Sequence, residues 1–262
     1  MRIQAPEIAP KCHPGQFLML KCGKDTLLRR PISVHSVIES TYLELLYALP
    51  DKTDNKDLST RISRKTEIQT AIGTGTHWLS KLKKGNQLDL IGPLGNGFTI
   101  ESSAKNLLLV AGGIGIAPLR FLADKGLSMG KNVTMLLGAR YRKGHFPDIL
   151  LPANVRTIRT IEKGRQSRGY RKGIVTEIVP EYIDWANQVF ACGPKAMYQA
   201  LDKQIQTWPR EKNVQVSLEI HMGCGTGVCY SCSIKTNQGM KRVCKEGPVF
   251  NIRDIIWQEV RI

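Results

Sequence analysis

The sequence predicts a β-rich amino-terminal domain, an open α/β domain and a small cysteine-bearing module at the carboxy end. Three observations carry that division. Residues 1–98 hold short apolar or alternating runs broken by Gly, Pro and charge, the pattern of a small barrel or sandwich. Residues 99–210 alternate continuous apolar runs with a glycine turn and helical patterns, the order of a parallel sheet flanked by helices. Residues 211–262 are rich in Gly and Cys.

In the first segment, PGQFLMLKCG (14–23), PISVHSV (31–37), TYLELLYAL (41–49), TEIQTAIG (66–73) and NQLDLIG (86–92) read as strands. Between them DKTDNKDLSTRISRK (51–65) is charged and lacks a helical stripe, so it reads as a mobile insertion. In the second segment KNLLLVA (105–111) is continuously apolar, as a strand buried on both faces should be. GGIGIAPLRFLADKGLSMG (112–130) reads as a glycine turn opening a helix. VTMLLGAR (133–140) and QVFACGP (188–194) are further buried runs. KAMYQALDKQIQTW (195–208) is helical, with Met197, Leu201 and Ile205 four apart.

The 262 residues suffice for two domains and an appended module, and 42% are hydrophobic. No apolar run reaches the length of a membrane span. The first twenty residues lack the basic-then-apolar order of a secretory signal, so a cytoplasmic protein is expected. The formal charge of +16 admits nucleic acid, an anionic cofactor or an acidic partner. Aromatics are only 6%, and no helix-turn-helix or aromatic RNA-binding motif is present, so nucleic-acid binding is not expected. The densest basic run, Arg159–Lys172, reads as a solvated surface.

Four of the seven cysteines follow the spacing Cys224-x4-Cys229-x2-Cys232-x11-Cys244. This is the plant-type ferredoxin pattern, three thiolates on a tight loop and a fourth later, which points to a [2Fe-2S] cluster. Gly225 and Gly227 let the loop wrap closely and aim backbone N–H groups at sulfur. Structural zinc is the competing reading, but zinc ribbons use two Cys-x2-Cys pairs and only one occurs here. Cys12, Cys22 and Cys192 lie far away in sequence.

Four shorter motifs precede the cysteines. Arg30-Pro31-Ile32-Ser33 can place a guanidinium on a pyrophosphate and a hydroxyl on a ring edge; alone it is also an ordinary turn into a strand. Gly73-Thr74-Gly75-Thr76 opens a short helix, where free N–H groups bind phosphate or a Thr simply caps. Gly112-Gly113-Ile114-Gly115 joins a buried strand to a helix, where an open α/β sheet binds a dinucleotide, although it is not the G-x-G-x-x-G fingerprint. Cys192-Gly193-Pro194 ends another buried run, placing a cysteine toward a nicotinamide or merely a small hydrophobe in the core.

With GPLGNGF (92–98) and AGGIGIAPL (111–119), these motifs in this order resemble the ferredoxin–NADP reductase superfamily. Within it the chain resembles the electron-transfer subunits of dihydroorotate dehydrogenase, over nearly its whole length. The resemblance implies an antiparallel flavin-binding β-barrel (1–98), a Rossmann-like NAD(P) domain (99–210) and a [2Fe-2S] module (211–262). It implies FAD at Arg30, Pro31, Ile32 and Ser33, with its pyrophosphate at Gly75 and Thr76. A middle flavin contact falls on Leu46–Ala48 or Ile68–Thr70. The nicotinamide site falls on Gly112, Gly113, Ile114, Gly115, Cys192, Gly193 and Pro194, and the cluster on Cys224, Cys229, Cys232 and Cys244. The implied partner is an FMN-containing dihydroorotate dehydrogenase catalytic subunit in a heterotetramer, with electrons passing between its FMN and NAD⁺ for pyrimidine synthesis. The alternative is an NAD(P)H-dependent reductase subunit serving a hydrogenase, ferredoxin–NADP or oxygenase system. Cofactors carry the chemistry, so no catalytic acid–base pair is expected.

Three departures stand out. Met1 falls after the position of the family's first barrel strand, so either the start is misassigned or a strand is missing. The 51–65 insertion interrupts a region near the flavin. GARYRKG (138–144) has no acid for a ribose 2′-hydroxyl, while Arg140, Arg142 and Lys143 can meet a 2′-phosphate, so NADP competes with NAD.

Overall fold

The computed structural model describes residues 1–24, 26–49, 74–165 and 167–260. The strand expected at 66–73, the 51–65 insertion and Ile68–Thr70 lie outside the described residues. The amino-terminal part is an antiparallel sheet of β1 (Arg2–Gln4), β2 (Phe17–Leu20), β3 (Arg30–Ile38), β4 (Tyr42–Leu45) and β5 (Leu90–Leu94), in the order β1-β4-β3-β2-β5. It is a curled half-barrel. Arg2–Gln4 pairs with Glu44–Tyr42, so residues right after Met1 form the sheet's edge. Helix α1 is described over Thr74–Ser80 and buries Gly75 and Leu79.

Among the described residues the second sheet has seven strands, in the order β14 (Val249–Asn251), β11 (Asn213–Ser217), β10 (Gln188–Cys192), β6 (Asn106–Gly112), β7 (Asn132–Ala139), β8 (Arg156–Ile161) and β9 (Tyr170–Lys172). Six of them run parallel, β6, β7, β8, β9, β10 and β11, and β14 at one edge is antiparallel. Leu107 to Ala111 of β6 are fully buried because β10 and β7 flank it and apolar layers cover both faces. Helix α2 (Ile116–Ser128) follows the glycine turn and buries Leu119, Leu122 and Ala123 on one face. Helix α3 (Lys195–Gln204) buries Met197, Tyr198 and Leu201 on the opposite layer.

The cysteine segment is joined to this sheet. After β11 (Asn213–Ser217) the chain forms the cysteine loop and a hairpin of β12 (Ser233–Thr236) and β13 (Gly239–Arg242). It then returns as β14 (Val249–Asn251), antiparallel to β11. Ile234, Val243 and Cys244 share one core with Phe17 and Met19 of the first sheet and Val216 of the second.

Side-chain amides and one imidazole fix the two sheets together. Gln215 accepts from the Thr99 N–H at 2.9 Å and donates to its carbonyl at 2.7 Å, while Gln188 accepts from the Glu101 N–H at 2.8 Å. These buried amides replace strand partners along the linker, leaving its backbone groups satisfied. His35 on β3 donates from Nδ1 to the Ala117 carbonyl of α2 at 2.8 Å and meets Phe146 edge-on.

Burial pushes the His35 imidazole below its ordinary range, against the hydrogen bond to Ala117, which pulls the other way. The folded protein therefore holds His35 neutral while the unfolded chain takes up a proton near pH ~6.5. The unfolded state then binds more protons, so stability present above that pH is lost as pH falls below it. Urea unfolding between about pH 7.5 and about pH 5 should show a steeper fall in midpoint for the wild type than for His35→Gln.

Candidate functional site: two adjoining cavities

The glycine turn and the Cys-Gly-Pro turn, far apart in sequence, are packed against each other. Gly115 lies so close to the Cys192 carbonyl oxygen that a Cβ there would overlap it. A Cβ on Gly112 would meet Pro194 at 2.7 Å, and one on Gly193 would meet Met197 at 2.7 Å. The missing side chains bring the carboxyl ends of β6 and β10 together, where a parallel sheet opens its ligand crevice.

Two cavities flank this junction. The first, about 180 Å³, is lined by Phe17, Pro31, Ile32, Ser33, Leu46, Tyr47, Ala48, Thr76, Ile114 and Cys192, among others. It lies between the flavin sheet and the turn. Of the two segments expected to supply a middle flavin contact, Leu46–Ala48 lines it. The second, about 580 Å³, is lined by Gly112, Gly113, Ile114, Gly193 and Pro194, together with Gly138, Arg140, Thr160 and Glu162. Ile114 and Glu219 line both.

The expected residues thus divide. Pro31, Ile32, Ser33, Thr76 and Cys192 face the first cavity, and Gly112, Gly113, Gly193 and Pro194 the second. Gly115 lines neither and serves the close packing. Arg30 and Gly75 also stand outside the first cavity but against each other, since a Cβ on Gly75 would meet Arg30 Cγ at 2.8 Å. The Arg30 guanidinium donates to the Leu28 carbonyl at 3.4 Å and is placed beside the first turn of α1. A guanidinium beside a helix start suits an anion.

Sequence reasoning missed two residues. Glu219, just past β11, stands where the cavities join, and desolvation by the cleft walls raises its carboxyl above the usual range. Glu162, just past β8, is the acid absent from residues 138–144. It lines the second cavity beside Arg140, whereas Arg142 instead lies over the Tyr170 ring. The pairing of β7 with β8, which aligns Gly138 with Thr160, carries Glu162 there. The hydroxyl of Thr160, buried in the same wall, has no hydrogen-bond partner among the described residues.

Cys192 is buried, and desolvation pushes its thiol up to about 12, so it remains a neutral thiol. The Tyr198 hydroxyl accepts from the Gly193 N–H at 2.9 Å and donates to the Ser217 carbonyl at 2.6 Å, pinning the turn.

Further along, Cys224, Cys229, Cys232 and Cys244 are all free thiols on the loop and hairpin. Gly225 and Gly227 have φ of +74° and +87°, as the tight wrap requires. Gly225 rests on Met19 of the flavin sheet, so closely that a Cβ would overlap that side chain. The N–H groups of Thr226 and Cys229 donate to Cys224 Sγ at 3.4 and 3.5 Å, and the Cys244 N–H donates to Cys232 Sγ at 3.4 Å. Desolvation alone would raise Cys224, but the Cys229 and Thr226 donors bring it down to about 5. Among the described residues, no three Cys, His, Asp or Glu side chains are already gathered around one point as an ion-holding group. Four thiols, converging N–H donors and positive-φ glycines nevertheless fit an iron–sulfur cluster in donor chemistry. The GPLGNGF segment braces this loop: the Asn96 amide donates to the Glu246 carbonyl at 3.2 Å.

A flavin-type half-barrel joined to a nucleotide-binding α/β sheet, with the ligand crevice at their junction, defines a reductase of the ferredoxin–NADP reductase type. Residues 109–203 match the oxidoreductase NAD-binding domain, and residues 219–256 match the iron–sulfur cluster binding domain of dihydroorotate dehydrogenase B. The chain is 36% identical to the dihydroorotate dehydrogenase B (NAD⁺) electron transfer subunit of Desulforamulus reducens, covering 98% of this chain and 92% of that one. It is 35% identical to the subunit of the same name from Clostridium perfringens, over 92% and 86%. Among solved structures, an NADH-dependent reduced ferredoxin–NADP oxidoreductase studied for flavin-based electron bifurcation superposes with a TM-score of 0.77 at 25% identity, covering 98% and 84%. A ferredoxin–NADP⁺ reductase from Neisseria gonorrhoeae shares the fold at TM-score 0.58 and 16% identity, over 83% and 91%. The chain belongs to the dihydroorotate dehydrogenase B electron transfer subunit family.

Gly115→Ala should destabilise the protein by about 2 kcal/mol, because the added methyl meets backbone that cannot swing aside. Gly113→Ala, with φ +55° and open space around its Cβ, should cost only about 1 kcal/mol. Denaturant unfolding of both variants checks the order.

Proposed function

We propose that this protein carries electrons between an FMN-containing dihydroorotate dehydrogenase catalytic subunit and NAD⁺, using FAD in the first cavity and a [2Fe-2S] cluster on the cysteine loop. The single observation that supports the site assignment best is the sharing of Ile114 and Glu219 by two cavities, one on the flavin sheet and one on the nucleotide sheet. Two ring systems seated there would meet at that wall, as direct hydride transfer requires. When bound, the flavin exchanges a hydride with the nicotinamide, and the cluster passes electrons singly.

The chain's own residues bind and orient. Arg30 and the start of α1 at Gly75 and Thr76 would hold the FAD pyrophosphate. Pro31, Ile32 and Ser33 would follow the ring edge, with Leu46–Ala48 opposite. Gly112, Gly113, Gly193 and Pro194 would let the dinucleotide backbone approach, and Ile114 would keep water from the joint. Glu162 would accept hydrogen bonds from ribose hydroxyls, supporting NAD⁺ rather than NADP⁺. Cys224, Cys229, Cys232 and Cys244 would be the cluster ligands, with loop N–H groups donating to sulfur.

The partner, a heterotetramer and a cytoplasmic setting are part of the same proposal. They are supported by the subunit names of the relatives and by the absence, among the described residues, of any helix long and apolar enough to cross a membrane.

The reading is tested by mixing the protein with an FMN-containing dihydroorotate dehydrogenase catalytic subunit and following pyridine nucleotide reduction by dihydroorotate. Wild type should reduce NAD⁺ in preference to NADP⁺, and Glu162→Gln should narrow that preference by about tenfold. Reduction of neither nucleotide, by a preparation whose flavin NADH still reduces, would assign the subunit to a different redox partner.

A further inference from the structure

The basic run at Arg159–Lys172, which the redox reading leaves unused, folds into a cavity. Its volume is about 590 Å³, and it is walled by Arg156 to Arg159 of β8, Ser167 to Arg171 leading into β9, and Tyr182. None of these residues lines the nicotinamide or flavin cavity. The parallel register pairs Arg159 with Tyr170, so the chain ahead of β9 curls beside the first half of β8. Thr160 and Glu162, further along, line the cavity proposed for the nicotinamide instead.

Four arginines, Arg156, Arg159, Arg168 and Arg171, line this cavity, and no acidic residue does. Two are tied to carboxylates outside it: Arg159 to Asp148, and Arg171 to Glu181 at 2.7 Å. Both acids are largely exposed, so these pairs are weakly held. Arg156 lies over the Tyr182 ring at 5.7 Å, and among the described residues neither it nor Arg168 has an acid partner. The Ser167 hydroxyl is buried in the wall without a hydrogen-bond partner among the described residues.

Planar guanidinium forks around a buried hydroxyl suit oxyanions that accept several hydrogen bonds at once. The volume is that of a small-molecule site. We infer that this cavity is a second ligand site, binding a small molecule that carries two or more linked phosphate groups, with Arg156, Arg168 and Ser167 as its unpaired donors.

Calorimetric titration of the holoprotein with sodium tripolyphosphate tests this, in saturating NAD⁺ so that the nicotinamide cavity is filled. The expected result is saturable one-site binding. It should weaken at least about tenfold in Arg156→Gln/Arg168→Gln, and by a smaller factor in Ser167→Ala. Flavin reduction by NADH should be unchanged in all three proteins, which separates loss of this site from misfolding or from failure of the redox reading. The inference is overturned by an absence of binding, by equal affinity in wild type and double variant, or by tripolyphosphate displacing NAD⁺. It is likewise overturned if a single-stranded oligonucleotide binds through the same arginines while tripolyphosphate does not.

Discussion

The close approach of Gly115 to the end of β10 is the constraint on which the rest of the structure depends. With no side chain at that position, the first turn of α2 sits directly on the Cys192 backbone. That fixes where α2 begins, and α2 in turn is held to the flavin sheet through the hydrogen bond between His35 and Ala117. The flavin-side cavity and the nucleotide cavity therefore meet at a wall set by packing, and loop flexibility has little part in it. Ile114 is thrust into that wall because the two glycines on either side of it turn the chain tightly.

A second set of contacts extends the same logic to the cysteine loop. Gly225 packs on Met19, whose strand neighbours the RPIS strand by antiparallel pairing, with Met19 opposite Pro31. The loop, the flavin sheet and the nucleotide sheet share one hydrophobic core. An electron path needs its stations close and rigidly spaced. Here the spacing is set by buried apolar contact, reinforced by the amides of Gln188, Gln215 and Asn96. The carboxy-terminal segment is accordingly part of the nucleotide sheet through β14, although its composition marks it off as a module.

Much of this was legible in the sequence, for identifiable reasons. β6 and β10 are buried on both faces, so they appear as unbroken apolar runs, and α3 shows its stripe because one face packs on the sheet. The cysteine spacing and the order of the glycine motifs carried the family. What stayed hidden depends on neighbours in space. Strand β8, RTIRTI, carries arginines at its edge and offers no apolar run. β9 is three residues long and mostly charged. Glu162 reaches the nucleotide cavity only because β8 lies beside β7, and Glu219 reaches the junction only because β11 lies beside β10. Neither neighbour relation has a local signature. The basic run read as a solvated face is one by composition, but the turn before β9 makes part of it concave.

The central claim is that flavin, nicotinamide and cluster sites form one connected path in this chain. The most direct measurement is an anaerobic NADH titration of the purified protein, followed by visible absorbance and by electron paramagnetic resonance. The account predicts that flavin absorbance bleaches and that a reduced [2Fe-2S] signal grows with the same NADH equivalents. Flavin bleaching in a protein that contains the cluster, with no cluster signal at any NADH concentration and with the signal appearing on dithionite, would contradict it.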